Sequence, residues 1–285
     1  MKRLAWLALL ALASPAYAFD EARMTAAARA EEAALSARVG AAVLDTATGQ
    51  LWRYRADERF PMDSTHKAFS CAALLAKVDM GEASLDRRVV ILATDIEPYS
   101  PVTQNRIAPD AMSLSELCAA ALGVSDNTAA NFVLAADGGP AGVTAFFRAL
   151  GDQTSQLDRT EPALNEAAPG DIRDTTTPAA AVADLNKILL GTALKPVSRE
   201  RLTHWMINDS VAGPLLRAAL PEDWRIADKT GNGGHGSRGV IAVIWPPNRA
   251  PLVAAIYLAD TSASIDARNA AISHIGAALV KAVGP

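Results

Sequence analysis

Apolar positions along the chain follow two different spacings, and the switch between them divides the sequence. Near the start, DEARMTAAARAEEAALSARV (20–39) is rich in Ala, Glu and Arg and predicts a helix. The next stretch, VGAAVLDTATGQLWRYRADERF, holds an apolar run, the turn-forming Asp45-Thr46-Ala47-Thr48-Gly49, and a second run through Leu51 and Trp52. It predicts a β-hairpin. From Ser64 to about Ile207 helical patterns dominate, broken by loops containing proline and glycine. Strand patterns then return in RGVIAVIWPP and LVAAIYLAD, joined by a turn containing Pro and Asn, and an amphipathic helix from about Ser264 to Val283 closes the chain. Strands at both ends with helices between them imply one sheet assembled from the two termini. The expected fold class is α+β, an α/β sandwich with an all-α lobe inserted in the middle. A site between the two lobes is the natural expectation.

The first eighteen residues change the picture of where this fold works. Lys2 and Arg3 precede an apolar core from Leu4 to Ala13, and Ala16-Tyr17-Ala18 supplies a small-x-small cleavage site. This is the layout of a secretory signal peptide, and its apolar run is about half the length of a spanning helix. The chain is therefore expected to be exported, with residues 1–18 removed. No cysteine precedes Cys71, so no lipid anchor is available near the cleavage site. What remains of the 285 residues is enough for one large domain or two intimate lobes. The expected division is 19–62 with 208–285 as the α/β lobe and 63–207 as the helical lobe. A formal net charge of −4 without a basic run gives no reason to expect nucleic acid or an anionic membrane as partner. Cys71 and Cys118 permit one disulfide, closing a loop of about 47 residues, but two buried free thiols remain the alternative.

Three short motifs carry candidate chemistry. In PMDSTHKAF (61–69), Ser64 and Lys67 stand at i and i+3 on a predicted helix and so on one face. Ser64 at the first turn keeps its backbone N–H outside the helical ladder, and a lysine among apolar residues can lose its proton and accept that of the serine. A capping serine with a snorkelling lysine would look the same, and a lone S-x-x-K arises about once by chance in a chain of this size. Ser125-Asp126-Asn127 sits after Gly123 as a loop between helical runs. It offers a hydroxyl and an amide to a ligand, or an N-cap to the next helix. Lys229-Thr230-Gly231 reads as the start of a strand, with four more glycines before Val240. Glycine there would let a ligand approach strand backbone, and Arg238 adds a permanent positive charge. A glycine-rich hairpin with solvated charges is the plain alternative.

In this order, S-x-x-K, S-D-N and K-T-G form the motif set of class A β-lactamases and penicillin-binding proteins. The sequence resembles a class A serine β-lactamase. LDRTEPALNEAAPGDIRDTTTP resembles that family's Ω loop, with Glu161 and Asn165 in its E-x-x-x-N pattern and Arg159 and Asp174 as the loop-closing ion pair of 159–174. YSPVT (99–103), AGPLLR (212–217) and the Cys71/Cys118 pair match a subset of the family, and the resemblance covers about residues 20 to 283. It implies a five-stranded antiparallel sheet and periplasmic hydrolysis of β-lactam antibiotics, with resistance as the outcome. Ser64 would be the nucleophile, Lys67 or Glu161 the acylation base, Ser125 a proton relay, and Glu161 with Asn165 the deacylating pair. Backbone N–H groups of Ser64 and Asn232 would form the oxyanion hole. Asn127 would hold the acylamino side chain, and Lys229, Thr230 and Arg238 the carboxylate, with Tyr99 and Gly231 also in the substrate site. The resemblance implies Cys71–Cys118 as a disulfide, a monomer, a small-molecule partner and no cofactor. His66, His204, His235 and His274 are scattered without ligand spacing, so no metal site is expected.

Asp63 and His66 depart from what the resemblance leads one to expect beside the nucleophile. Position 63 is not cysteine and Gly233 is glycine, so the disulfide of one carbapenem-hydrolysing branch is absent. A D-alanyl-D-alanine peptidase shares the three short motifs but lacks the deacylating glutamate, and a penicillin sensor would acylate and stop. Glu161 with Asn165 argues against both.

Overall fold

Both ends of the chain meet in one sheet, as the apolar pattern predicts. A computed structural model of the protein describes residues 19–284, and the segment read as a signal peptide lies outside the described residues. Helix α1 (Glu21–Leu35) leads into the hairpin of β1 (Arg38–Asp45) and β2 (Gln50–Tyr54). The short β3 (Phe60–Pro61) delivers the chain to a 3₁₀ turn, Asp63–Thr65, and helix α2 (His66–Met80). Next come β4 (Arg88–Val90), β5 (Ala111–Ser113), α3 (Leu114–Gly123), α4 (Asn127–Asp137) and α5 (Pro140–Ala149). They are followed by β6 (Thr175–Thr176), α6 (Pro178–Leu189) and α7 (Pro196–Ile207). Strands β7 (Arg225–Asn232), β8 (Arg238–Trp245) and β9 (Leu252–Ala259) and helix α8 (Ile265–Ala282) complete the chain.

The five-stranded sheet has the order β2-β1-β9-β8-β7 and every pair in it is antiparallel. The seam between the two chain ends is β1 on β9, running from Arg38 opposite Ala259 to Asp45 opposite Leu252. Strands β8 and β9 lie inside the sheet with both faces covered, which is why they read as unbroken apolar runs. Their period-2 alternation still sorts side chains to two layers. Val240, Ala242, Ile244, Leu252, Ala254, Ile256 and Leu258 pack with Met24 and Ala28 of α1 and with Ile272, Ile275 and Leu279 of α8. Ile241, Val243, Val253, Ala255 and Tyr257 face the helical segment, in one cluster with Phe69, Leu74 and Leu75 of α2 and Leu185 of α6. Burying each large aliphatic side chain contributes about 1.5–3 kcal/mol.

Local signals set the helix ends. Proline occupies the first position of α5, α6 and α7, where its missing N–H costs nothing. Ser113 and Glu116 form a reciprocal capping box at α3, and Ser264 caps α8 through Ala267 N–H. Cys71 on α2 and Cys118 on α3 are joined by a disulfide.

One placement differs from expectation. Lys229-Thr230-Gly231 does not start a strand but lies in the second half of β7, which ends at Asn232, and the following glycines make the turn into β8. The strand was hidden in the sequence because it carries a charge in its middle. Asp228 is fully buried there and is neutralised by Arg217 at 2.6 Å. At the turn, His235 and Gly236 take left-handed φ values of 49° and 71°.

Candidate active site

Strand β7 is the edge of the sheet, and its free side faces the start of α2 and the loop before α4. Between them lies a cleft of about 380 Å³ lined by Ser64, Tyr99, Ser125, Asn127, Asn165, Thr230, Gly231, Asn232 and Ile265. Ser64 sits in the 3₁₀ turn just ahead of α2. Asp63 before it is held at φ 44°, a left-handed conformation that costs of order 1–3 kcal/mol for a residue with a side chain. The strand packs directly on this turn. A Cβ at Gly231 would lie 2.7 Å from the Met62 carbonyl oxygen and 3.2 Å from Ser64 N, so only glycine fits there.

Lys67 is fully buried one turn into the helix region. Its Nζ donates to Ser125 O at 2.8 Å, Ser125 Oγ at 3.2 Å and Asn127 Oδ1 at 2.6 Å, and lies 3.1 Å from Glu161 Oε1. Burial pushes the lysine below its ordinary pKa, while Glu161 works to keep the proton on it. For Glu161, burial favours the neutral acid, but Lys67 and then His66 outweigh it and hold the carboxylate at about 2. The two shifts describe one coupled pair, each partner favouring the charged form of the other over 3.1 Å.

Ser125-Asp126-Asn127 both caps the next helix and lines the cleft. Asp126 caps α4 by accepting from Ala129 N–H, and its carboxylate also takes Val102 N–H, Thr103 N–H and the Thr103 hydroxyl. That fixes the segment carrying Tyr99. Ser125, at φ 61°, turns its hydroxyl between Lys67 and Lys229, with both ammonium groups at 3.2 Å. An oxygen that accepts from two ammonium groups keeps its own O–H free to donate into the cleft. Asn127 spends its carbonyl on Lys67 and one N–H on Pro98 O, leaving one N–H.

Residues 159–174 deliver Glu161. Arg159 Nε bridges to Asp174 Oδ2 at 2.5 Å across the loop's neck, and Glu161–Pro162 is cis. Asn131 on α4 clamps the Glu161 backbone, its Nδ2 donating to Glu161 O and its Oδ1 accepting Glu161 N–H, each at 2.9 Å. Asn165 Nδ2 donates to Glu161 Oε2, and Asn165 Oδ1 is buried without a protein partner.

Lys67, Glu161, Lys229 and Arg238 stand behind the cleft rather than in its wall. Lys229 is buried with Asp209 at 3.8 Å, and burial lowers it to about 8. Arg238, expected with Lys229 and Thr230 to hold a substrate carboxylate, is only 7% exposed. Its guanidinium is bonded to Asn269 Oδ1 at 2.8 Å and to Gly231 O at 2.9 Å, because it lies opposite Asn232 on the paired strand and α8 closes over it. Its charge reaches the cleft from behind Gly231. The sequence reading missed Asn131, Ile265 and Arg268, whose guanidinium lies 3.3 Å from Asn232 Oδ1 and 2.9 Å from Ser237 O. Only Asn131 had a signal in the sequence, its i+4 spacing from Asn127 on one helix face.

With this geometry in place, comparison with known proteins is consistent throughout. Residues 22–283 match the β-lactamase enzyme family. β-Lactamase AER-1 of Aeromonas hydrophila is 54% identical over 272 residues, covering 95% of this chain and 90% of that one. An ancestral class A β-lactamase (GNCA) superimposes with a TM-score of 0.89 at 52% identity, over 91% of this chain and 99% of its own. A last common ancestor of Gram-negative bacteria class A β-lactamase (GNCA4) gives 0.88 at 51% identity, over 90% and 97%. The chain belongs to the β-lactamase enzyme family, as a class A serine β-lactamase.

Proposed function

We propose that this cleft opens the β-lactam ring by a serine acyl-enzyme route and then hydrolyses the ester. Ser64 Oγ attacks the lactam carbonyl carbon while its proton passes to Lys67, or to Glu161 through a water. The carbonyl oxygen becomes an oxyanion between the backbone N–H groups of Ser64 and Asn232, where one such donor is worth about 3–4 kcal/mol. When the carbon–nitrogen bond breaks, the hydroxyl of Ser125 protonates the departing ring nitrogen and recovers a proton from the lysine side. Asn127 offers its remaining N–H to the acylamino carbonyl. Thr230 meets the substrate carboxylate in the wall, with Lys229 and Arg238 supplying positive charge behind it. In the second half, Glu161 takes a proton from water, the hydroxide adds to the ester carbon, and Ser64 leaves with its proton restored.

One observation carries the hydrolytic half: buried Glu161 is bonded to Asn165 of the cleft wall, with Asn165 Oδ1 buried and still able to accept from a water. A peptidase or sensor would keep the nucleophile and the two lysines but has no use for this pair. The substrate is a small molecule of the penicillin class. A monomer acting after export to the periplasm, divided between an α/β lobe (19–62 and 208–285) and a helical lobe (63–207), fits this reading. Among the described residues no helix is long and apolar enough to cross a membrane. Turnover of nitrocefin and benzylpenicillin by purified mature protein tests the proposal. Multiple turnovers without a lasting adduct support it, and stoichiometric labelling without release overturns it.

A further inference from the structure

The reaction as described leaves unused a buried titratable side chain in contact with Glu161. His66 opens α2 and is fully buried. Its Nε2 lies 3.2 Å from Glu161 Oε1, and its Nδ1 lies 3.1 Å from Ser70 Oγ, one turn further along the helix. A neutral imidazole has one donor and one acceptor. An Nε2 lone pair set against a carboxylate oxygen in a dry pocket would be repulsive, so the N–H belongs on Nε2. Ser70 Oγ also lies 3.1 Å from the His66 carbonyl oxygen, so its one proton is shared between that oxygen and Nδ1, and it is the carboxylate rather than Ser70 that sets the tautomer.

We propose that His66 is a positioning residue for deacylation, its Nε2–H holding the Glu161 carboxylate in place whatever the charge on Lys67. This rests on the reading of Glu161 as the deacylating base. Lys67 shares the same oxygen, Oε1, but is a poor sole anchor, because its Nζ also serves Ser125 and Asn127 and changes protonation wherever it takes the serine proton. His66 donates to nothing else, so its contact survives when Lys67 is neutral. With Oε1 held from α2, Oε2 stays directed at Asn165 and at the water between them.

The consequence has a sign. The charged or titratable groups facing Glu161 and His66 are Lys67 from α2, Asp63 from the preceding turn and Asp174 from the loop's end. Burial favours neutral Glu161 and is outweighed by Lys67 and His66 together. Burial also favours neutral His66, so its contribution is that of a dipole. Removing it raises the pKa of Glu161, and the acid limb of deacylation moves to higher pH.

The test separates the two half-reactions with benzylpenicillin, using rapid quench and intact-protein mass. His66→Phe should slow deacylation about 10- to 100-fold and raise its acid limb by about one pH unit. Acylation should stay within about threefold of the parent. His66→Gln, whose amide N–H reaches the Nε2 position, should restore deacylation and the acid limb. His66→Asn, whose amide reaches only the Nδ1 position, should not, and stands in for the phenylalanine variant if that one fails to fold. Deacylation at the parent rate with an unmoved acid limb, equal loss of both half-reactions, or glutamine no better than asparagine would each overturn the proposal. Glu161→Gln is measured in parallel. A persistent adduct there upholds the base assignment even if His66 proves inert, whereas parent-like turnover sinks both.

Discussion

The two faces of the sheet are built from different materials. Toward α1 and α8 the core is an apolar cluster of Val, Ala, Ile, Leu and Met, with charged groups only at its margins, such as Asp45 with Arg249 at 2.8 Å. Toward α2 and the 159–174 loop, the apolar cluster gives way at the cleft to Asp63, His66, Lys67, Glu161 and Lys229, each 1% exposed or less. Ionised groups out of water are costly unless partnered, and a pair is often no better than an apolar substitute. Stability therefore does not explain the second face. Its charges are placed where burial makes lysine give up its proton more readily while Glu161 stays ionised, and the first face supplies the stability that tolerates them.

The strongest way to break this comparison is to remove the atom that the charges serve. Ser64→Ala should abolish covalent labelling by penicillin and cut turnover by at least about 10⁴-fold. Folding stability should change by less than about 0.5 kcal/mol. Labelling that survives would mean that the charged face serves a different nucleophile.

Glu161→Ala sharpens it by splitting the cycle. General-base catalysis is typically worth about 10²–10⁴-fold, so deacylation should collapse while Ser64 still acylates. Brief exposure to penicillin should leave a lasting adduct on the variant and almost none on the parent. If the parent itself accumulates the adduct, the buried glutamate is not a deacylating base.

How much was legible in the sequence follows the same division. On the apolar face, the unbroken apolar runs of β8 and β9 specify burial directly, and the closing helix could be bounded to within a residue at each end. Cleft residues were found as motifs, through resemblance, because three-residue patterns such as Lys229-Thr230-Gly231 carry no periodicity. Patterning failed where a charge is buried: Asp228 broke up the strand that carries Lys229, and no local signal showed that Asn269 and Gly231 hold Arg238 behind the cleft. His66 looked anomalous in the sequence because the glutamate it touches lies 95 positions away. Burial of polar groups is decided by tertiary partners, and a local reading of the chain does not contain them.

The opposite face predicts the opposite response. Ile256 is fully buried in the cluster between the sheet and α8. Ile256→Ala should destabilise by about 2–5 kcal/mol, read as a shift in the denaturant midpoint, while kcat/KM of the folded enzyme stays within about twofold. A change in substrate kinetics without a change in stability would show that the two faces are not separable.

The smallest expected effect is a pH dependence that belongs to the charged face alone. Lys229 is buried behind Thr230, and burial brings its pKa to about 8, with Asp209 opposing the fall. The ammonium is present below that value and lost above it, so its attraction for a substrate carboxylate fades as pH rises through about 8. The carboxylate is charged in the ground and transition states alike, so the change should fall on KM rather than kcat. Between pH 7 and 9.5 KM for benzylpenicillin should rise by up to about tenfold, the equivalent of one pKa unit. Lys229→Arg keeps a positive charge across the range and should flatten the rise. Lys229→Met should show the high KM at every pH. A parent KM that stays level to pH 9.5 would move the binding charge to Arg238, which burial lowers only to about 10. Arg238→Ala would then be the variant with the raised KM, and Lys229 would serve Ser125 rather than the carboxylate.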